Sequence, residues 1–472
     1  MSIRFTNTLT RQKEEFKALH GGRVSLYVCG VTVYDHCHVG HARGAVVFDV
    51  LRRYLQDRGY AVVHVRNVTD VDDKIIERAR SESPGGDLKA AAFAVARRYE
   101  DSFREDYGKL GLLPPVYEPR ATEYIPKMIR FIEDLIPGGY AYEAIDGVYF
   151  SVRNLGREYG RLSHQNPDQM LEGVRVEPGE GKRDPLDFAL WKKAKQDEPN
   201  WPSPWGPGRP GWHIECSAMS TDLLGNLFDI HGGGQDLIFP HHENERAQAL
   251  GAGKRFARYW VHNGLLTVNG QKMSKSAGNI ISIQDVLKRH SADVLRMFFL
   301  GAHYKSPQDF TWERLEEAAS SYDRLVGLYQ SMRQQVGEGL ESGPKLLQEQ
   351  RNMFFTAMDD DLNTPEALAV LFGLISAASS RLQGRAPKPP TSADLEEVRF
   401  ILGQVQKLAQ VLGLSLASFE ANDPLVEQLI SERDEARKKK DYTVSDKIRD
   451  QLTEMGYIVE DTSDKTVVRK KV

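Results

Sequence analysis

The stretch that decides the fold runs from Val24-Ser-Leu-Tyr-Val28 through Cys29-Gly30 and a polar turn to His38-Val39-Gly40-His41. Its first five residues predict a buried strand, because they form a largely apolar run instead of a strict alternation. A helix is predicted from about Ala42 to Arg58, where apolar residues recur on one face. A second apolar strand, Ala61 to Val65, comes next. This β-loop-α-β order predicts a parallel α/β sheet.

The turn after the first strand is a candidate anion site. Ligands of parallel α/β sheets bind at the carboxyl ends of strands, where Cys29 and the turn His38–His41 are predicted to lie. The helix that follows offers free N–H groups and the positive end of its dipole. Taken alone, His38 and His41 are also consistent with ordinary surface loop residues.

A distant pentapeptide, Lys272-Met-Ser-Lys-Ser276, strengthens the phosphate interpretation. Taken alone it could be a solvated basic turn. Two lysines in a polar loop can neutralise a polyphosphate, while two histidines at a strand-to-helix turn hold it from the other side. Such chemistry needs charge around a leaving group instead of a covalent nucleophile, and the histidines and lysines are expected to supply it. The two motifs together predict an enzyme that activates the α-phosphate of a nucleotide and expels pyrophosphate.

Four dispersed residues form a candidate metal site. His241 and Glu245 are four residues apart on a predicted helix, so they project from one face. Cys29 and Cys216, each expected at a strand end, could complete a tetrahedral zinc site, whereas His242 should point elsewhere. Two buried cysteines beside a salt-bridged helix face explain the same residues, because the spacing matches no standard zinc-ribbon pattern. Spacing leaves both interpretations open.

The bulk composition is that of an ordinary globular protein. The 472 residues suggest two to four domains, and the contents of 40% hydrophobic and 27% charged residues are unremarkable. We expect a cytoplasmic protein with no membrane contact, because the apolar runs are too short to span a bilayer and the N-terminus is polar. The net charge of −4 argues neither for nor against a nucleic-acid partner. Three cysteines, of which Cys37 is the least well placed for the metal site, cannot form a disulfide framework.

The remaining chain divides by composition. Residues 120–205 are rich in Gly, Pro and charged residues and predict an insertion, after which the sheet should resume with Trp212–Cys216 and Leu227–His231. Beyond Phe310 the pattern is almost entirely helical, ending in a hairpin of Ile458-Val459 and Val467-Val468. The basic runs 437–440 and 469–471 could contact nucleic acid, although composition alone favours a solvated charged helix face.

Seven segments carry a family resemblance: Phe5-Thr-Asn-Thr-Leu-Thr-Arg-Gln-Lys-Glu-Glu-Phe16, Tyr27-Val-Cys-Gly-Val-Thr-Val-Tyr-Asp35, Arg66-Asn-Val-Thr-Asp-Val-Asp-Asp-Lys74, Pro207-Gly-Arg-Pro-Gly-Trp-His-Ile-Glu-Cys-Ser-Ala-Met219, His231-Gly-Gly-Gly234, Phe239-Pro-His-His-Glu-Asn-Glu245 and the Lys272–Ser276 loop. With these, essentially the whole chain resembles the cysteinyl-tRNA synthetases, a family of class I aminoacyl-tRNA synthetases. Departures are mild: Val39 replaces the family's isoleucine, and Ala277 replaces the usual leucine.

The resemblance implies an α/β fold in which a Rossmann-like parallel-sheet catalytic domain carries an inserted connective domain. An α-helical bundle and a small mixed α/β C-terminal domain follow. The implied boundaries are 1–119 and 206–255 for the two catalytic halves, 120–205 for the insertion, 256–310 for the stem-contact region that bears Lys272–Ser276, 311–415 for the tRNA-binding bundle, and 424–472 for the anticodon-binding domain.

The resemblance also implies the site. Cys29, Cys216, His241 and Glu245 would bind one Zn²⁺, which accepts the thiolate of substrate cysteine. The pocket would contain Gly30, Thr69, Trp212 and His231. ATP, with Mg²⁺, would meet Gly40 and the catalytic residues His38, His41, Lys272 and Lys275, together with Ser274 and Ser276.

The implied reaction joins L-cysteine to ATP as cysteinyl-adenylate and then transfers cysteine to tRNA(Cys), in a protein we expect to be a monomer. Two alternatives remain at this point. One is a cysteine ligase of mycothiol biosynthesis, which passes cysteinyl-adenylate to an amino-sugar and lacks the anticodon-binding end. The other is a non-catalytic nucleic-acid-binding protein that retains the fold, against which the intact motifs argue.

Overall fold

The computed structural model describes residues 2–166, 181–275, 277–340, 348–383, 390–417, 424–455, 457–461 and 466–470. Two compact units divide the chain. The first comprises Met1–Gln284, Ala302–Phe310 and Phe355–Thr364, and the second comprises Asp285–Gly301, Thr311–Phe354 and Pro365–Val472.

A four-stranded sheet lies at the centre of the first unit. Its strands, in spatial order, are Phe256–Asn263, Leu227–Gly234, Arg23–Val28 and Ala61–Arg66, and every neighbouring pair is parallel. Most residues of these strands are buried, which explains why their sequences are continuous apolar runs. The parallel α/β sheet predicted from residues 24–65 is confirmed.

Helix Val39–Asp57 connects two of these parallel strands and begins three residues earlier than the sequence suggested. The difference arises because His38 caps the helix with its side chain, and histidine is not among the usual capping residues. Gly59, at φ 88°, follows the helix end as expected. The other helices of the catalytic part are Asp73–Glu82, Leu88–Lys109, Ile125–Leu135, Val152–Leu155, Trp212–Leu224 and Glu243–Gly251.

One element was predicted wrongly. Trp212–Cys216, expected to resume the sheet, forms the first turns of helix Trp212–Leu224. The helix is buried from Ile214 to Ser220. A short buried segment shows no hydrophobic periodicity in its sequence, so a strand and a buried helix cannot be distinguished there. Cys216 therefore lies on a buried helix and not at a strand end.

Smaller sheets complete the first unit. Strands Ala141–Ala144, Gly147–Phe150, Phe188–Lys193 and Gly208–Pro210 form an antiparallel sheet. The first three lie within residues 120–205, where an insertion was predicted, and the fourth lies just after them. Leu266–Val268 pairs with Gln271–Lys272 on one side and with Gln308–Phe310 on the other. A hairpin joins Arg4–Asn7 to Gln12–Glu15.

The second unit is helical, as predicted, and ends in a small mixed structure. Its helices are Ile283–Leu287, Ala292–Leu300, Trp312–Val336, Gln348–Asp359, Thr364–Gln383, Ser392–Val411, Pro424–Lys438 and Tyr442–Glu454. Two of them, Ile283–Leu287 and Thr364–Gln383, start in the first unit, and Gln348–Asp359 ends there. The predicted terminal hairpin is present, since Tyr457–Asp461 pairs with Thr466–Lys470. Val426, Leu429, Ile448, Leu452, Tyr457 and Val459 form a separate apolar cluster there. No helix among the described residues is long and apolar enough to span a bilayer.

Gly232 tests how closely helix Val39–Asp57, hereafter the central helix, packs on the four-stranded sheet. A Cβ at this position, on strand Leu227–Gly234, would overlap the ring of Phe48 on helix Val39–Asp57. We expect Gly232→Ala to destabilise the protein by about 1–3 kcal/mol, because overpacking forces backbone or ring displacement. Gly21→Ala is the matched control, since nothing lies within 4 Å of its added Cβ. Equal midpoints of thermal unfolding for the two variants, measured by calorimetry, would contradict this packing.

Candidate active site and metal centre

The structure brings the four predicted metal ligands together. One donor atom from each of Cys29, Cys216, His241 and Glu245 lies within 4.8 Å of the other three. The two sulfur atoms are 3.7 Å apart, and Glu245 Oε1 is 3.4 Å from Cys29 Sγ and 3.0 Å from His241 Nε2. These donors come from three distant parts of the chain and meet at the carboxyl ends of the central strands.

The donor set fits zinc. Two thiolates each about 2.3 Å from a tetrahedral zinc ion are about 3.8 Å apart, close to the sulfur separation seen here. Burial is the main cause that raises the pKa of both the Cys29 and Cys216 thiols. Without a cation these thiols stay protonated at neutral pH, so a divalent ion is what would hold them as thiolates.

Second contacts orient two of the ligands. Glu245 Oε2 accepts a hydrogen bond from His231 Nε2 at 2.8 Å, which leaves Oε1 facing the sulfurs. His241 Nδ1 lies 2.9 Å from His213 Nδ1, so the ring can direct Nε2 toward the cluster. Such contacts fix the tautomer and the angle of a metal-binding imidazole. His213 was missed from the sequence, because nothing in its spacing marks it.

His242 does not point away from the cluster, contrary to the prediction. Its Nε2 lies 3.2 Å from Cys29 Sγ, and its Nδ1 lies 2.7 Å from His262 Nε2. The cause is local, because residues Ile238–His242 form a π-helical turn that alters the angular spacing of an α-helix. Cys29, His231, His242 and Glu245 consequently form a second group of donors within the same distance limit.

The predicted pocket residues surround the cluster at different depths. Trp212, 38% exposed, stacks on His241 with ring centroids 4.0 Å apart. The buried Thr69 donates a hydrogen bond from Oγ1 to Glu215 Oε2 at 2.7 Å. His231 is fully buried behind Glu245.

Gly30 fits because it has no side chain. Its N–H donates to Asn67 Oδ1 at 2.8 Å, and an added Cβ would overlap the Asn67 carbonyl oxygen. Asn67 Oδ1 also lies 3.5 Å from Cys216 Sγ. Asn67 was not predicted, although its place directly after strand Ala61–Arg66 could have marked it, since ligands gather at such ends.

The His38–Val39–Gly40–His41 turn caps the central helix twice. His38 Nδ1 accepts from the Gly40 N–H at 3.1 Å, and His41 Nδ1 accepts from the His38 N–H at 3.2 Å. Because Nδ1 is the acceptor in each neutral ring, the proton lies on Nε2, where it can be donated to a phosphate oxygen.

The charge state of these histidines differs from the prediction that they supply positive charge. Burial lowers the pKa of His38, and burial, followed by the effects of the His38 ring and of Lys74, lowers the pKa of His41 to about 3. Both rings are therefore neutral hydrogen-bond donors at neutral pH. Positive charge must come from the lysines and from the helix N-terminus.

The lysine-bearing loop extends from a β-hairpin. Strands Leu266–Val268 and Gln271–Lys272 are joined by Asn269-Gly270, both at positive φ, which is the Asn-Gly pair typical of a two-residue turn. Asn279 closes the loop: its Oδ1 accepts from Ser274 N at 2.9 Å, and its Nδ2 donates to Lys272 O at 3.2 Å. The Lys272 side chain is exposed, and Ser276 lies outside the described residues.

The loop contacts the histidine turn directly. A Cβ on Gly40 would lie 2.8 Å from the methyl carbon of Met273, so the two motifs meet where Gly40 has no side chain. Lys275 Nζ lies 2.5 Å from Asp35 Oδ2 and 4.7 Å from the centre of the Tyr34 ring. Burial acts to raise the pKa of Asp35, but the hydrogen bond and charge of Lys275 outweigh it, and the pKa is lowered.

Comparison with solved structures identifies the fold. The chain matches a Mycobacterium tuberculosis methionyl-tRNA synthetase solved with methionyl-adenylate at a TM-score of 0.62 and 16% identity, covering 83% of this chain and 90% of that one. It matches an Agrobacterium radiobacter LeuRS–tRNA ternary complex at a TM-score of 0.62 and 12% identity, covering 85% and 86%. The fold is therefore that of the class I aminoacyl-tRNA synthetases.

Sequence comparison is more specific. Family models match residues 15–320 as a class I (C) tRNA synthetase catalytic domain, residues 353–417 as a DALR domain, and residues 422–469 as a cysteinyl-tRNA ligase anticodon binding domain. Cysteine–tRNA ligases of Persephonella marina and Coxiella burnetii are 46% and 47% identical over 100% of both chains. The chain belongs to the cysteinyl-tRNA synthetase family, as its sequence motifs suggested.

Cys216→Ser tests the ligand assignment. We expect this variant to lose bound zinc, because a hydroxyl group is a far poorer zinc ligand than a thiolate. Cys37→Ala is the matched control, since Cys37 is buried but belongs to neither donor group. Metal content by atomic emission, and the sulfur-to-metal charge-transfer band of the cobalt form, distinguish the two. Full zinc occupancy in the serine variant would refute the assignment.

Proposed function

We propose that the chain is a cysteine–tRNA ligase, which activates L-cysteine with ATP and transfers it to the 3′ end of tRNA(Cys). The observation that carries the proposal is the convergence of two sites on one strand end. Cys29, a member of the donor cluster, lies just before the turn of His38 and His41, and Met273 of the lysine loop contacts that turn. A thiol-binding cluster beside a phosphate-binding turn is what cysteine adenylation requires.

The first step joins the cysteine carboxylate to the α-phosphate of ATP and expels pyrophosphate. His38 and His41 donate from Nε2 to phosphate oxygens, and the helix N-terminus adds its dipole. Lys272 and Lys275 place positive charge on the leaving pyrophosphate, where charge develops in the transition state. Gly40, where an added Cβ would meet Met273, is proposed to contact ATP together with Ser274 and Ser276.

The amino acid is selected at the cluster. One Zn²⁺ held by Cys29, Cys216, His241 and Glu245 would supply a soft Lewis acid that binds the substrate thiolate. Trp212 forms an apolar wall against His241, while Thr69, Gly30 and His231 hold the framework around the ligands. Recognition by a metal–sulfur bond excludes serine more strongly than an apolar pocket, which separates near-isosteres by only about 1–3 kcal/mol.

The rest of the chain is proposed to bind the nucleic-acid partner. Helices after Phe310 and the terminal domain from Pro424 are proposed to contact tRNA, and Mg²⁺ is expected to accompany ATP. Because the chain carries this C-terminal part, transfer to an amino-sugar, as in mycothiol biosynthesis, is not favoured. A monomeric state and a cytoplasmic location stay predictions.

Cysteine-dependent ATP–pyrophosphate exchange tests the proposal directly. We expect exchange with cysteine on zinc-loaded protein and none above background with serine, because serine lacks the sulfur that the cluster selects. Alanine at the same concentration controls for selection by size alone. Absence of cysteine-dependent exchange on protein with one zinc per chain would refute the proposed function.

A truncation separates activation from transfer. A chain ending at residue 420 should keep cysteine-dependent exchange, because the cluster and both phosphate-binding motifs lie before it. It should lose most tRNA charging, since the terminal domain, with its own apolar cluster, is removed. Charging of tRNA(Cys) at the full-length rate would show that this domain has another role.

A further inference from the structure

Arg43, on the first turns of the central helix, is almost entirely buried, with 1% of its surface exposed. Among the residues that the structure describes, its guanidinium donates only to main-chain oxygens. Nη1 donates to the carbonyls of Gly264 and Leu265 at 2.9 and 2.8 Å, and Nη2 donates to those of Ser306 and Tyr304 at 2.5 and 3.4 Å. One side chain therefore holds two separate chain segments against one helix.

The charge of Arg43 has no acidic partner within the described part of the chain, and burial lowers its pKa to about 10. The guanidinium still carries its proton at neutral pH. Burying a charge is costly unless its donors find acceptors, and four carbonyls accept from the two Nη groups. The planar fork of arginine reaches two pairs of oxygens at once, whereas the single ammonium of lysine cannot.

The two segments held by Arg43 lie next to the strands that support the lysine loop. Gly264 and Leu265 immediately precede strand Leu266–Val268, which pairs with Gln271–Lys272. Ser306 precedes strand Gln308–Phe310, the other neighbour of Leu266–Val268. An added Cβ on Gly264 would lie 2.5 Å from the Ser306 oxygen, so these backbones are already in closest contact.

The far end of the loop returns to the same helix turn. Val39 N donates to Ile281 O at 3.0 Å, and Ile283 N donates to Cys37 O at 2.9 Å. The loop that carries Lys272 and Lys275 is thus fixed at its exit by residues that flank His38. At its entrance it is fixed by Arg43, two positions after His41.

We propose that Arg43 is a positioning residue for adenylate formation: its guanidinium sets the separation between the His38–His41 turn and the hairpin that carries the two lysines. It touches neither substrate nor metal ligand. Its effect passes through the carbonyls of Gly264 and Leu265 into the hairpin, which determines where the lysine charges stand relative to the histidine Nε2 donors. This role rests on the proposed function only in naming the reaction that the spacing serves.

Arg43→Lys is the informative change, because it keeps the charge and loses the fork. We expect kcat of cysteine-dependent ATP–pyrophosphate exchange to fall by about 10- to 100-fold, the size of effect that misplaced catalytic groups produce. The dissociation constant for cysteine without ATP should be unchanged, because the donor cluster is not contacted. Amide hydrogen exchange should accelerate in peptides covering residues 265–275.

Arg296→Lys is the matched control. Arg296 is equally buried and donates to a main-chain oxygen, that of Leu412, but it lies in the helical second unit. We expect it to leave kcat and the exchange of residues 265–275 unchanged. Gly264→Ala provides a second variant with Arg43 intact. Its added Cβ would lie 2.5 Å from the carbonyl oxygens of Lys305 and Ser306, of which the second accepts from Arg43, so it should reproduce the loss of kcat.

The outcomes separate the two proposals. Unchanged kcat per folded molecule in Arg43→Lys, or equal effects of Arg43→Lys and Arg296→Lys, would overturn the positioning role. If Arg43→Lys does not fold, unchanged kcat in Gly264→Ala overturns it instead. Wild-type protein without cysteine-dependent exchange would refute the proposed function, whereas hydrogen exchange of residues 265–275 tests the Arg43 contact whichever substrate is activated.

Discussion

The parallel pairing of strand Arg23–Val28 with strands Ala61–Arg66 and Leu227–Gly234 is the constraint on which the site depends. Its register sets Tyr27 beside His231 and Val28 beside Gly232. Since the strands end at one edge, the residues that follow them are delivered to one place: Cys29 and Gly30 from one strand, Asn67 and Thr69 from another. A slip of one residue would turn the Tyr27 side chain to the opposite face of the sheet and disrupt the buried packing there.

The donor cluster and the phosphate-binding motifs at this edge differ in burial and in charge. The half with the donor cluster is largely buried, and burial lowers the pKa of His241 and His242, so these two imidazoles are neutral. The phosphate half is more open and places exposed lysines opposite neutral histidines. A neutral imidazole offers a directed hydrogen bond without repelling a nearby ammonium group. Charge and direction are therefore supplied by different residue types.

Prediction from sequence succeeded where a residue's chemistry and its local pattern agreed. The first strand, the helix after it and the terminal hairpin were found because apolar periodicity alone indicates them. The four donors were named, but only family resemblance chose among the open interpretations. Trp212–Cys216 was mistaken for a strand, and His242 was misplaced, because a buried helix and a π-turn leave no distinctive period in so few residues. Arg43 could not be foreseen, since its partners are carbonyl groups, which every sequence position possesses.

The spacing of the donors along the chain has a consequence for how the molecule is made. Cys29 is 187 residues from Cys216 and 216 residues from Glu245, with the antiparallel sheet of residues 141–210 encoded between them. Synthesis proceeds from the N-terminus at a finite rate. A nascent chain therefore carries an incomplete set of donors until the ribosome has passed Glu245. The cluster can form only after the intervening sheet has been synthesised, so binding of a metal by all four donors would report that the catalytic part has folded.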